Sequence, residues 1–147
     1  MEKYMKLAIE EAIKAQKNGD IPVGAVIVKD NKIIAKAYNK KEKNKCPIDH
    51  AEILAIKKAT KKLKTWHLDD CILYVTMEPC LMCAGALVQS RIKKVVYGVE
   101  NSKFGFAGSI DNILNNKNMN HTIEIEKKVC EKEIIKILKE FFKDKRK

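Results

Sequence analysis

The chain is 147 residues long and 46% hydrophobic, enough for one domain with a core of its own and too apolar for a disordered segment. Its formal charge of +11, from 30 basic against 19 acidic residues, concentrates polyanions around it and makes nucleic acid the favoured partner. Only Arg91 and Arg146 are arginines, so the excess is nearly all lysine, which a skewed codon composition also produces.

Apolar Leu7, Ala8, Ile9, Ala12, Ile13 and Ala15 recur at helical spacing over residues 2–18, and Gly19 and Pro22 stop that helix. Acids interrupt this N-terminal stretch, unlike a signal peptide, and no later run approaches the roughly 20 apolar residues of a membrane helix. The expectation is a cytoplasmic protein with no membrane partner, one domain over residues 1–147. "VGAVIVKDNKIIAKAY" reads as a hairpin turning at Asp30-Asn31, and the polar "NKKEKNKCPID" as a loop. A helix is expected over about 50–63. "CILYVTM" is nearly all apolar, as a strand buried on both faces would be. Residues 80–90 suit a helix and "KKVVYGV" a strand. "ENSKFGFAGS" reads as a Gly-bearing loop, and "HTIEIE" alternates like a half-buried strand. The closing "KKVCEKEIIKILKEFFKDKRK" is an amphipathic helix with a basic tail. Helices alternating with strands after an opening hairpin predict a three-layer α/β/α domain on a mixed sheet.

Five cysteines, an odd count without a secretory signal, argue against a disulfide framework. Cys71 opens an apolar run and Cys130 falls in an apolar helix stripe, so both are expected as buried thiols; Cys46 lies in the polar loop beside Pro47. Cys80 and Cys83, in "EPCLMCAG", stand where a strand gives way to a helix. Three apart near a helix start, their sulfurs share a face, and the unpaired N–H groups there favour thiolate. That suits a metal and a redox pair equally.

A third ligand would separate the two readings. His67 beside Trp66 reads as a surface or packing residue, and His121 as a structural one. His50 begins the helix that precedes the strand leading to Cys80, and a βα layout brings both helix starts to one sheet edge. Glu52 shares that site only if both residues occupy the first turn, since residues two apart in a regular helix point nearly oppositely. Asp49 and Glu52 also spell a capping box. Taken with His50 and the cysteines, catalysis is the better reading of Glu52: three protein ligands leave a fourth position for water, and a free carboxylate moves protons. His-x-Glu followed by Pro-Cys-x-x-Cys matches the known signature of zinc nucleobase deaminases.

On these motifs the chain resembles the bacterial tRNA-specific adenosine deaminases, of the zinc-dependent cytidine/deoxycytidylate deaminase superfamily. "IPVGAVIV", "HAEILAI", "CILYVTMEPCLMCAGALVQSRI" and "VVYGV" follow in the family's order. So do "KFGFAGS", Asn120-His121 and the helix from Cys130 to Phe142, and these later segments separate the family from cytidine deaminases. The resemblance implies a cytidine-deaminase-like fold with a mixed five-stranded sheet. It implies one Zn2+ per subunit on His50, Cys80 and Cys83, with Glu52 as proton shuttle. The substrate it implies is the wobble adenosine of a tRNA anticodon stem-loop, converted to inosine by a homodimer. Asn39 and Pro47 are carried over as substrate contacts; Asn101, Ser102, Lys103 and Phe142 are carried over as RNA-contacting surface.

The chain departs from the family's pattern at three places. Cys46-Pro47-Ile48-Asp49 replaces Asp-Pro-Thr-Ala and adds a charge beside His50, and Leu81 replaces a proline between the cysteines. Asn101 replaces an Asp; an amide donates as well as accepts toward a ribose 2′-OH, so weaker discrimination of RNA from DNA is expected. Rival readings are a deaminase of a free purine such as guanine and a noncatalytic zinc-stabilised RNA-binding module. The module would need a fourth protein ligand that the sequence does not offer. Zinc follows from ligand type, and iron suits a similar site.

Overall fold

The computed structural model describes residues 1–119 and 121–145; Asn120 and the last two residues of the basic tail lie outside the described residues. Helix α1 (Glu2–Lys17) buries Ala8, Ile9, Ala12 and Ala15 of the predicted stripe together with Met5, whereas Leu7 is half-buried and Ile13 exposed, and the chain turns away at Gly19 with φ 81°. Strands β1 (Gly24–Lys29) and β2 (Lys32–Tyr38) pair antiparallel. Their turn residues Asp30 and Asn31 have φ of 50° and 61°, the left-handed pair that a two-residue type I′ turn requires.

Helix α2 (Ala51–Leu63) stops at Lys64, in the left-handed conformation with φ 57°. Strand β3 (Cys71–Met77), helix α3 (Leu81–Gln89) and strand β4 (Lys94–Val99) form a crossover whose strands pair in parallel. Strand β5 (Glu124–Glu126) adds in parallel to β4, and helix α4 (Glu131–Lys145) closes the described chain. The five-stranded sheet runs β2-β1-β3-β4-β5, antiparallel on the β2 side and parallel on the other.

Alternation along the strands divides the core. Val26, Val28, Tyr74 and Val96 pack with Met5, Ala8 and Ile9 of α1 and Ile134 of α4. Ala25, Ile27, Leu73, Val75, Val95 and Tyr97 pack with α2, through Ala51, Ala55 and Ala59, and with Ala84, Leu87 and Val88 of α3. This is the three-layer arrangement the sequence predicts. Gly24 is required by closeness: a Cβ there would run into Ala8 O and Ala12 N on the backbone of α1.

Two expectations are corrected. Cys130 stands one residue before α4, half-buried at φ 56°, rather than in a buried helix stripe; a left-handed residue cannot continue a right-handed helix. β5 is three residues long because "HTI" pairs elsewhere: Ile123 N donates to Leu114 O at 2.8 Å, and His121 Nε2 meets Ile92 O at 2.8 Å. Among the described residues no helix is long and apolar enough to cross a membrane.

The feature that positions the site is the direction of α2. It packs against the face of the sheet and returns through residues 64–70 to the start of β3, so its N-terminus lies at the C-terminal end of β3. Helix α3 begins at that same end.

Candidate metal centre and active site

The loop before α2 is fixed from beneath by two polar side chains. Asp20, buried, accepts from Glu42 N at 2.6 Å and Lys43 N at 3.2 Å. Asn39 donates through Nδ2 to Ile21 O at 3.2 Å and accepts from Lys41 N at Oδ1, 3.1 Å. The loop delivers His50 as the N-cap of α2 in an extended conformation, φ −74° and ψ 154°. Glu52 is then in the first helical turn, so the two side chains escape the opposed directions of a regular helix. The Asp49–Glu52 capping box does not form. No side chain caps α2; Asp49 Oδ2 instead accepts from Asn44 Nδ2 at 2.8 Å, which holds its carboxyl below the usual range.

On the other side of the site Cys80 is the extended N-cap of α3, and Cys83 lies fully buried in its first turn. Both sulfurs lie 3.6 Å from His50 Nδ1, and the three donor atoms are all within 4.8 Å of one another. Tetrahedral zinc, with Zn–S of about 2.3 Å and Zn–N of about 2.0–2.1 Å, separates a sulfur and a nitrogen ligand by about 3.6 Å. The donor set therefore fits the ion, and His50, Cys80 and Cys83 are positioned to bind it. Their protonation is interdependent without a metal. Hydrogen bonds from Cys83, first, and from His50 pull the Cys80 thiol down to about 4. The Cys83 thiol is pushed up by that same bond and by burial, and His50 is raised chiefly by its bond to Cys80. The result is one thiolate ready to receive a cation, with the second deprotonating as the metal arrives.

Glu52 is 4% exposed, and burial, then the nearby Cys80 charge, push its carboxyl up to about 7. A group of that pKa can both take and give a proton near neutral pH. It lies on the wall of a pocket of about 370 Å³, within the roughly 300–1,000 Å³ of small-molecule sites. His50, Cys80, Asn39 and Asn101 share that wall, with Lys41 and Phe104. Other expected contacts are not on it. Pro47 and Lys103 are exposed on the flanking loops, and Phe142 lines a separate groove of about 720 Å³ beside Val99, Lys128 and Lys139. That larger groove holds none of the metal donors, so volume does not locate the chemistry. His67 is exposed, stacked on Trp66 at 3.7 Å, and His121 is a loop tie; neither joins the site.

Sequence reasoning missed Glu78. This carboxylate, 2% exposed, accepts from Asn101 N at 3.1 Å and from Ala107 N and Ser109 N at 3.0 Å each, and from the Ser109 hydroxyl. A Cβ at Gly105 would collide with it. It holds the loop that carries Asn101 and Phe104 to the pocket. Asn101 in turn accepts from Phe104 N at Oδ1, 3.2 Å, so its oxygen is already engaged.

A mixed five-stranded sheet with a His–Cys–Cys donor set and a buried carboxyl at the strand ends defines a metal-dependent deaminase domain, and residues 1–146 match the MafB19-like deaminase family. The tRNA-specific adenosine deaminase of Bacillus subtilis (strain 168) is 47% identical over 146 residues, 99% of this chain and 91% of that protein. A solved tRNA:A34 deaminase, studied for A-to-I editing at the wobble position of transfer RNA, superposes with a TM-score of 0.89 at 34% identity. The match covers 92% of this chain and 99% of that one. Guanine deaminase from Bacillus subtilis is 40% identical with a TM-score of 0.67, covering 84% and 82%. The chain belongs to the tRNA-specific adenosine deaminase family.

Proposed function

We propose that the chain hydrolytically deaminates the wobble adenosine of a tRNA anticodon to inosine, acting as a homodimer in the cytoplasm. The observation that carries this reading is the buried Glu52 carboxyl, at about 7, beside a three-donor metal site on the wall of a base-sized pocket. His50, Cys80 and Cys83 would hold zinc. Zinc held there would bring the pKa of a water to about 7 and so supply the nucleophile for the purine C6.

Glu52 takes one proton from the attacking water and delivers it to the ring nitrogen N1, then takes the second from the new C6 hydroxyl and delivers it to the amine, which leaves as ammonia. A carboxyl tuned to the working pH serves both directions. Asn39 has spent one N–H on Ile21 O and one lone pair on Lys41 N, which leaves it one of each for the edge of the base. Pro47, Asn101 and Lys103 lie where RNA flanking the pocket would pass, and Lys103 can pair with phosphate. Phe142, on the second groove, would meet RNA further from the reacting base. Bases in an anticodon loop are unpaired, so splaying one out costs less than in a duplex. The dimer is supported by α3, whose Leu81, Met82, Gly85 and Ala86 form an incompletely covered apolar face with open space at Gly85.

The test is zinc analysis together with inosine detection on an anticodon stem-loop. One zinc per chain and stoichiometric inosine are expected; zinc-loaded protein that makes no inosine overturns the reading. The likeness to guanine deaminase supports a second reading, deamination of a free purine. Ammonia released from guanine, with none from the stem-loop, would favour it.

A further inference from the structure

Phe104 is 65% exposed, more than any other large hydrophobic residue described, and it stands at the mouth of the pocket that holds Glu52 and His50. An exposed aromatic on a loose loop would mean little. Here the backbone around it is tied down. Phe104 N donates to Asn101 Oδ1, Gly105 N to Asn101 O at 2.8 Å, and Phe106 N to Pro79 O at 2.9 Å. Glu78 then fastens Asn101, Ala107 and Ser109 from below, and Gly105 pairs with Cys80 itself. Ala107 is buried and Phe106 packs against the core, so the segment is anchored on either side of Gly105 while Phe104 is turned out.

A pocket of about 370 Å³ accepts one base, so the nucleotides on either side of that base must lie over its rim. We propose that Phe104 is a stacking platform for the nucleobase adjoining the one that enters the pocket. A preorganised ring offers a face to any base, and Lys41 on the pocket wall and Lys103 beside Phe104 supply charge for the connecting phosphates. The ligand class is an unpaired nucleobase in an RNA loop, and the inference rests on the tRNA reading above.

The experiment is a cycle between protein and RNA. Wild type and Phe104→Ala are compared on an intact anticodon hairpin and on hairpins made abasic at the 5′ or the 3′ neighbour of the target adenosine. Stacking of this kind is worth about a tenfold loss on alanine substitution, and the loss should fall on KM rather than kcat. Phe104→Ala should be about tenfold weaker on the intact hairpin and indifferent to one of the two abasic sites, to which wild type is sensitive. Phe104→Trp should restore the wild-type KM. Unchanged KM in Phe104→Ala, or losses that multiply independently at both abasic sites, overturns the platform. If wild type makes no inosine, the tRNA reading fails instead, and the same cycle run as hairpin binding by fluorescence anisotropy still decides the platform. Phe104 is exposed, so its variants should fold.

Discussion

Replacing Glu52 by Gln should destroy turnover and yet stabilise the metal-free protein at alkaline pH. Glu52 is buried and its carboxyl is raised from 4.5 to about 7, mainly by desolvation. Below about pH 4.5 the group is protonated in both folded and unfolded chains. Between pH 4.5 and 7 the unfolded chain ionises first, so stability falls as pH rises, and above 7 the full penalty has developed. A shift of that size corresponds to about 3 kcal/mol. Gln removes the penalty and disturbs the hydrogen bonding to Cys83, which costs about 1 kcal/mol. The variant should therefore gain about 2 kcal/mol over wild type at pH 8.5 and lose about 1 kcal/mol at pH 4.5. Urea unfolding of chelator-treated protein at the two pH values measures both. A difference that does not change with pH, or a variant less stable at pH 8.5, refutes the argument. With zinc restored, inosine formation should fall at least about a hundredfold while metal content is kept, as for loss of a general base.

Cys83→Ser should lose zinc and lower the melting temperature, since a buried ligand joins folding to metal binding; metal analysis and thermal unfolding would show it. Glu78→Gln leaves at least two of the donors around it without an acceptor, because an amide presents a single acceptor oxygen. A loss of about 2 kcal/mol in urea is expected, with faster exchange at the amides of Asn101, Ala107 and Ser109; protection unchanged at all three would contradict the hub. Gly24→Ala drives a methyl into the α1 backbone and should cost about 3 kcal/mol, measured by denaturant midpoint.

The metal donors were legible because they are side chains at fixed spacing, and hydrophobic alternation placed the elements that carry them. His50 and Glu52 could share a site only through cap geometry, and the extended N-cap supplies it. Asp49 misleads because its carboxylate finds Asn44, five residues back, instead of the helix start. Glu78 and Asp20 were not legible. Their partners are backbone N–H groups 22 to 31 residues away, and a backbone donor leaves no mark on the sequence. Cys130 was misplaced by one residue, a displacement that helical periodicity cannot resolve near a terminus.

The margins of the sheet restrict how copies of this chain can adhere. β2, at one edge, exposes Lys32 and Lys36, breaks register with β1 at Ile27/Val28, and has the Lys36 carbonyl taken by Lys58 Nζ at 2.8 Å. β5, at the other edge, is three residues long and carries Glu124 and Glu126. Charge, irregularity and shortness are the devices that stop one sheet from templating strands of the next. A chain guarded on both flanks against fibre-like growth leaves its helices and loops as the surfaces through which the proposed dimer would form.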